Sequence, residues 1–413
     1  MAQLPDHFNE SEAGFTHGAD HKANVWSTTK LYEKIPGLWP SSFSHEYCCI
    51  YRVPYRLRRV NLEAYTPQML LIGPLHHSKK AKALELYKTD PRYLDYINME
   101  LHKKKYLNSI ANTFGDETIE RFRNINVRDE KCIRESYSES TDWIKSSEFV
   151  EMMLLDSIFI LKFFTGVESR NTNTKGDIIF AAPSLITAIF EDLILLENQL
   201  PYSLLDSLFE PFFLTIKTEV TFRDLTLRVF NFEGKIGRGV KFRHFRDLFR
   251  RVRVETLDLK EERISRVLAE TPKNITRLAS ADKLDSAGVD FVNMYEGSDV
   301  SLVIKFERGI LFLPCFTADD YTERVMRNLM ALEQCHYPLT AYVCNYIAFL
   351  DFLIDSEQDV DLLVKKGQLI WDFVIVASVV IVVVTFIGTV TSVLQVTQND
   401  NKSLPSPVPP RVL

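Results

Sequence analysis

At 413 residues and a net charge of −6, the chain has room for two or three units of roughly 100–200 residues. It lacks the bulk positive charge that displaces counterions, which excludes nucleic acid as a general partner. Apolar residues make up 46% and charged residues 25%, with 28 Phe and 16 Tyr, a composition that builds a packed core rather than a disordered chain.

The first 44 residues mix Ser, Thr, Gly, His and acidic residues without period, which predicts a mobile tail. Met1–Glu10 has no basic start and no apolar core, so no secretory signal is expected, and Ala2 excludes N-myristoylation. Residues 45–371 predict a helix-rich globular domain. Cys48–Val53 reads as a short strand stopped by Pro54, and Met69–Ile72 as a second, turned by Gly73-Pro74. Tyr96, Met99, Tyr106, Ile110 and Phe114 recur at helical spacing, with Lys103, Lys104 and Lys105 among them. Glu148–Phe164 is apolar on most sides, the mark of a central core helix. Leu185–Leu200 predicts another, ended by Pro201, whose ring clashes with a continuing helix. A polar, basic linker covers about 234–273, and Ser280–Ala287 then reads as a helix stopped by Gly288. Val300–Phe306 and Ile310–Pro314 flank Arg308-Gly309 as a β-hairpin. Thr317 or Asp319 caps a helix running to about Gln334. Tyr342–Ile354 and Asp359–Lys366 follow, with Gly367 as the stop. The expected fold is α+β, a predominantly α-helical globular domain with a few short strands, plus one C-terminal transmembrane helix.

That last helix is Phe373–Val396, 24 residues without a charge. At ~1.5 Å per residue it reaches ~36 Å, enough to cross a hydrocarbon core of ~30 Å with some tilt. Lys365 and Lys366 lie just before it, which favours a cytosolic placement for residues 1–372. The expectation is a tail-anchored, single-pass protein. Thr385, Gly388, Thr389 and Ser392 form a stripe of small residues along which a second helix could pair. The tail, 397–413, is short and Pro-rich.

No nucleotide loop, G-x-S-x-G, H-E-x-x-H or kinase signature is present, so no catalytic, cofactor-binding or metal-binding residue is assigned. The six cysteines form no C-x-x-C and fit no zinc spacing, which predicts reduced, mostly buried thiols. His76-His77 is the one His pair and reads as turn-exposed or hydrogen-bonded. Glu333 and His336 make a lone E-x-x-H, whereas a di-iron bundle needs two. Asp156, Asp192, Glu197, Asn198 and Gln199 sit on or beside the two most apolar helices. A buried carboxylate must be paired, so these residues predict either a structural polar network or an acid/base site, with Arg56, Arg58, Arg59, Arg324 and Arg327 as partners. In the basic stretch, Phe242, Phe245 and Phe249 share a helical face beside Arg250, Arg251 and Arg253. Such a face suits anionic lipid or an acidic partner, or equally docking of its rings on the core.

Several segments, in order, resemble one plant-specific family, catalogued as domain of unknown function 247 or uncharacterised protein family 0481. They are Ile50–His77 (IYRVPYRLRRVNLEAYTPQMLLIGPLHH), Phe149–Phe164, Asp192–Leu205 (DLILLENQLPYSLL), Leu284–Phe291, Phe306–Cys335, Tyr342–Ile354 and Asp359–Ile370. The resemblance covers about residues 45–371. It implies no established enzymatic activity or cofactor, a C-terminal transmembrane helix, and, from some grass members, a part in self-incompatibility recognition. Family members usually carry further helices before the membrane helix, where this chain passes directly from Trp371-Asp372 into the apolar run. The expected function is membrane-anchored protein–protein recognition or signalling through an unknown protein partner. The alternatives are a membrane-bound enzyme using the buried carboxylates, or a truncated, non-functional family copy.

Overall fold

The computed structural model describes residues 35–41, 43–169, 176–214, 220–257, 278–293 and 300–371. Helices of eight residues or more are numbered here in chain order. α1 (His77–Leu86), α2 (Arg92–Phe114) and α3 (Asp116–Glu135) come first. Gly115 separates α2 from α3 at φ +84°, a left-handed conformation open to glycine, and lets α3 fold back on α2. α3 buries Ile119, Phe122, Asn126 and Ile133, one stripe of an otherwise charged helix.

α4 (Ser146–Ser169) buries nearly every side chain from Phe149 to Phe164 because α2, α3, α6 (Tyr202–Leu214) and α7 (Phe222–Val229) enclose it. α5 (Pro183–Leu193) starts on a proline, whose missing N–H costs nothing in a first turn. Stacked and tilted rings fill this first core, with Phe164 5.2 Å from Phe245 and Phe163 5.2 Å from Phe190.

A second core joins α8 (Phe245–Glu255), α9 (Asp320–His336), α10 (Tyr342–Leu353) and α11 (Glu357–Lys365) to two small sheets. In the first sheet β3 (Ile310–Phe312) lies between β1 (Asp290–Val292), parallel to it, and β2 (Lys305–Glu307), antiparallel to it. Arg308 and Gly309 both take positive φ, the geometry of a tight hairpin turn. In the second sheet β4 (Phe316–Ala318) pairs in parallel with β5 (Leu369–Trp371). Asp319 caps α9 by accepting the Thr322 N–H at 2.6 Å. The fully buried Arg246 ties α8 to two other elements: its guanidinium donates to the carbonyl of Ile194, just after α5, and to that of Val325 in α9.

The architecture is predominantly α-helical with a few short strands. Several boundaries differ from the sequence expectation. Cys48–Val53 forms a single bridge, Ile50 to Tyr137, rather than a strand. Met69–Ile72 is irregular. α5 stops at Leu193, well before Pro201. The basic stretch is no linker where it is described, since α8 lies within it and buries Arg246, Arg250 and Arg253. The predicted tail (1–34 of it), the predicted membrane span Phe373–Val396 with Thr385, Gly388, Thr389 and Ser392, and the 397–413 tail lie outside the described residues. Among the described residues no helix is long and apolar enough to cross a membrane.

Candidate functional site

Of the five polar residues singled out beside the apolar helices, Asp156, Asp192 and Asn198 gather on one stretch of backbone, 68–73. Asp192 ends α5 with no exposure. Its Oδ1 accepts the Gln68 N–H at 2.7 Å, and its Oδ2 accepts those of Met69 and Leu70 at 2.8 and 2.7 Å. Burial pushes its carboxyl up to about 7, against the downward pull of those three donors and of Arg324. Asn198 accepts the Ile72 N–H at 2.6 Å and donates to the carbonyls of Leu70 and Asp192, both at 2.9 Å. Gln199 donates to the carbonyls of Leu193 and Leu195 at 2.6 and 2.7 Å. These amides take the carbonyls orphaned where α5 ends, which accounts for its stop ahead of Pro201. They also explain why Met69–Ile72 is not a strand: side chains from 192–198 occupy N–H groups that a ladder would have used.

Asp156, at the centre of α4, closes the other end. Its Oδ2 accepts the Gly73 N–H at 2.8 Å, and its Oδ1 accepts Lys103 Nζ at 2.7 Å. Lys80 Nζ lies 3.2 and 3.1 Å from the two oxygens. Burial raises the Asp156 carboxyl, but Lys103 and Lys80 outweigh it and hold the group below the usual carboxylate range. Lys103, itself fully buried, also donates to the Leu71 carbonyl at 2.6 Å. Gly73 sits at φ +74°, and a Cβ there would meet the Gln199 carbonyl at 2.9 Å, so both conformation and space require glycine.

Glu197 faces the neighbouring segment. Its Oε1 accepts the Val53 N–H at 2.7 Å and the Arg58 guanidinium, and Arg52 approaches Oε2 at 3.4 Å. Arg52 also grips Glu139 with two nitrogens and reaches the Leu75 carbonyl at 3.2 Å. Of the other arginines expected as partners, Arg324 lies 3.8 Å from Glu191 and Arg327 pairs with Glu323 at 2.7 Å. Arg52, Lys80 and Lys103 were not foreseen. Lys103 carried a readable signal, because it falls in helical phase with Met99, Tyr106 and Ile110, all buried on α2.

The basic amphipathic face is turned inward. Phe242, Phe245 and Phe249 are buried in the two cores. Arg250 donates to Glu333 Oε1 at 2.9 Å, while the other oxygen of Glu333 accepts the Cys344 N–H at 2.9 Å. Arg253 is buried, and Arg251, a third exposed, donates to the Tyr337 hydroxyl at 3.2 Å. Of the two placements open to this face, the structure has the core-docked one, since its rings bury more apolar area there than a surface helix would. Glu333 and His336 do not converge: His336 hydrogen-bonds Tyr51 and Arg243. His77 meets Glu148 at 2.8 Å, whereas His76 is buried rather than exposed in a turn. Among the described residues no group of three or more His, Cys, Asp or Glu is placed to hold a metal ion.

Residues 50–384 match a family described as plant protein of unknown function, domain of unknown function 247. The chain belongs to this family. Across 353 residues it is 28% identical to a UPF0481 protein of Arabidopsis thaliana, covering 80% of this chain and 70% of that one. Across 125 residues it is 31% identical to a putative UPF0481 protein of the same plant, covering 30% of this chain and 24% of the relative. No solved structure matches. The segments shared with the family include the backbone at 68–73 and the 192–199 turn that holds it.

Proposed function

We propose that the chain is a single-pass membrane-anchored recognition protein whose helical domain presents its outer surface to a protein partner. The observation that carries this reading is the engagement of both oxygens of Asp156, Asp192 and Glu197 by backbone N–H groups or cations. Carboxylates so held fix backbone. An enzyme built on them would need an oxygen free to meet substrate. Exposed rings suit contact with a protein: Trp39 is 88% and Tyr55 78% exposed, and Trp and Tyr are the residues that most often anchor interfaces. An open cleft of about 580 Å³ lies beside Phe43 and Tyr47, lined across from them by Val127 and Arg128 of α3.

The anchor is Phe373–Val396, with residues 1–372 on the cytosolic side and the small-residue stripe available to a second helix. Its support is the length and uncharged composition of that run. The test is fractionation of the full chain beside a version cut after Asp372. The full chain should stay with membranes through alkaline carbonate, and the cut version should become soluble. Equal membrane retention of both would remove the anchor.

A further inference from the structure

We propose that the cationic cluster of Arg52, Arg58, Lys79 and His76 is a binding site for a phosphate monoester. His76 immediately precedes α1, so His76, Lys79 and Lys80 stand at i, i+3 and i+4 and share one face of its start. Arg52 reaches the segment just before that start through the Leu75 carbonyl at 3.2 Å, and Arg52 and Arg58 are both held on Glu197. All four cations act electrostatically on His76.

Arg52 and Arg58 are matched by Glu139 and Glu197, and Lys80 and Lys103 by Asp156 and Glu100. Lys79 is the cation that no hydrogen bond or ion pair matches to a carboxylate among the described residues. His76 is the second, independent sign. It is 1% exposed, yet neither ring nitrogen has a hydrogen-bond partner. A neutral imidazole carries one N–H, and buried polar groups are nearly always paired.

The group that completes this set is an anion with several oxygens. Guanidinium forks and an ammonium offer donors only, the combination that recognises phosphate. A phosphate dianion would meet two guanidinium groups and an ammonium there, and the His76 ring, kept neutral by burial and by those cations, has one N–H to donate to it. Entry is from the Arg52 side, where that side chain is 38% exposed while that of Arg58 is 18%. Ligand entry requires the Lys79 and Arg52 side chains to swing, since the His76 nitrogens are closed off in the free protein. The ligand is therefore a single phosphoryl group, either of a small soluble molecule or of a lipid headgroup.

The experiment uses the full chain in detergent, titrated calorimetrically with inorganic phosphate, and flotation with phosphatidylcholine vesicles with and without phosphatidylinositol 4-phosphate. Saturable phosphate binding, weakened about tenfold or more by Lys79→Ala, is expected, with a shift of the His76 ring nitrogens in the NMR spectrum. Greater flotation with the phosphoinositide vesicles than with phosphatidylcholine alone, the difference lost in Lys79→Ala, would assign the phosphoryl group to a lipid. His76→Phe keeps the buried ring without its nitrogens and should also weaken binding. Should that variant misfold, Lys79→Ala, at a half-buried surface position, still decides. Failure of both probes to bind, or equal binding by wild type and Lys79→Ala, would overturn the proposal.

Discussion

At the scale of single residues, Asp192 shows two opposed forces acting on one side chain. Removal from water favours its neutral form, while three backbone donors 2.7–2.8 Å away favour the anion. Burial wins, and the group titrates near 7 rather than at 3.8. The folded chain therefore binds a proton that the unfolded chain has already released over that window. Stability relative to Asp192→Asn, which has no proton to exchange, should fall as pH rises from about 4 to 7 and level off above. Denaturant unfolding of both proteins at several pH values measures this. A flat difference would mean that Asp192 is ionised in the fold throughout.

At the scale of elements, the buried Arg250–Glu333 pair ties α8 to α9, and through the Cys344 N–H to the start of α10. Burial raises the Glu333 carboxyl, with Arg250 and backbone donors opposing it. Arg250→Met leaves that carboxylate uncompensated and should cost about 3–5 kcal/mol, whereas the double change Arg250→Met, Glu333→Leu should recover most of the loss. Equilibrium unfolding of the four-protein cycle reads the coupling, and purely additive effects would contradict it. Helices of this kind were partly legible from sequence. α4 announced itself because it is apolar on nearly all sides, and the hairpin at Arg308-Gly309 because only that turn fits two flanking apolar runs. Met69–Ile72 reads as a strand from its apolar run and the Gly73-Pro74 turn, but an apolar run says nothing of where the N–H groups go. Their acceptors lie more than a hundred residues on, at Asp192 and Asn198. Lys103 hid in a run of three lysines whose other two are exposed, and only helical phase separates it from them.

At the scale of the whole molecule, the polar residues do the joining that apolar patterning cannot specify. Asp156 reaches from α4, Asp192 from the end of α5, and Asn198 from the turn after it, all to one irregular segment. Arg246 ties α8 to the turn after α5 and to α9. Each buried N–H left unpaired would cost about 1–3 kcal/mol, so segment 68–73 has no comparable arrangement without these side chains. These side chains make segment 68–73 a framework fixed from within the core. Hydrogen exchange of the amides from Gln68 to Gly73 tests it most directly. They should exchange only with global unfolding, as slowly as amides of α4, and Asp192→Asn should release those of Gln68, Met69 and Leu70. Exchange in the wild type at the rate of an open loop would contradict the account.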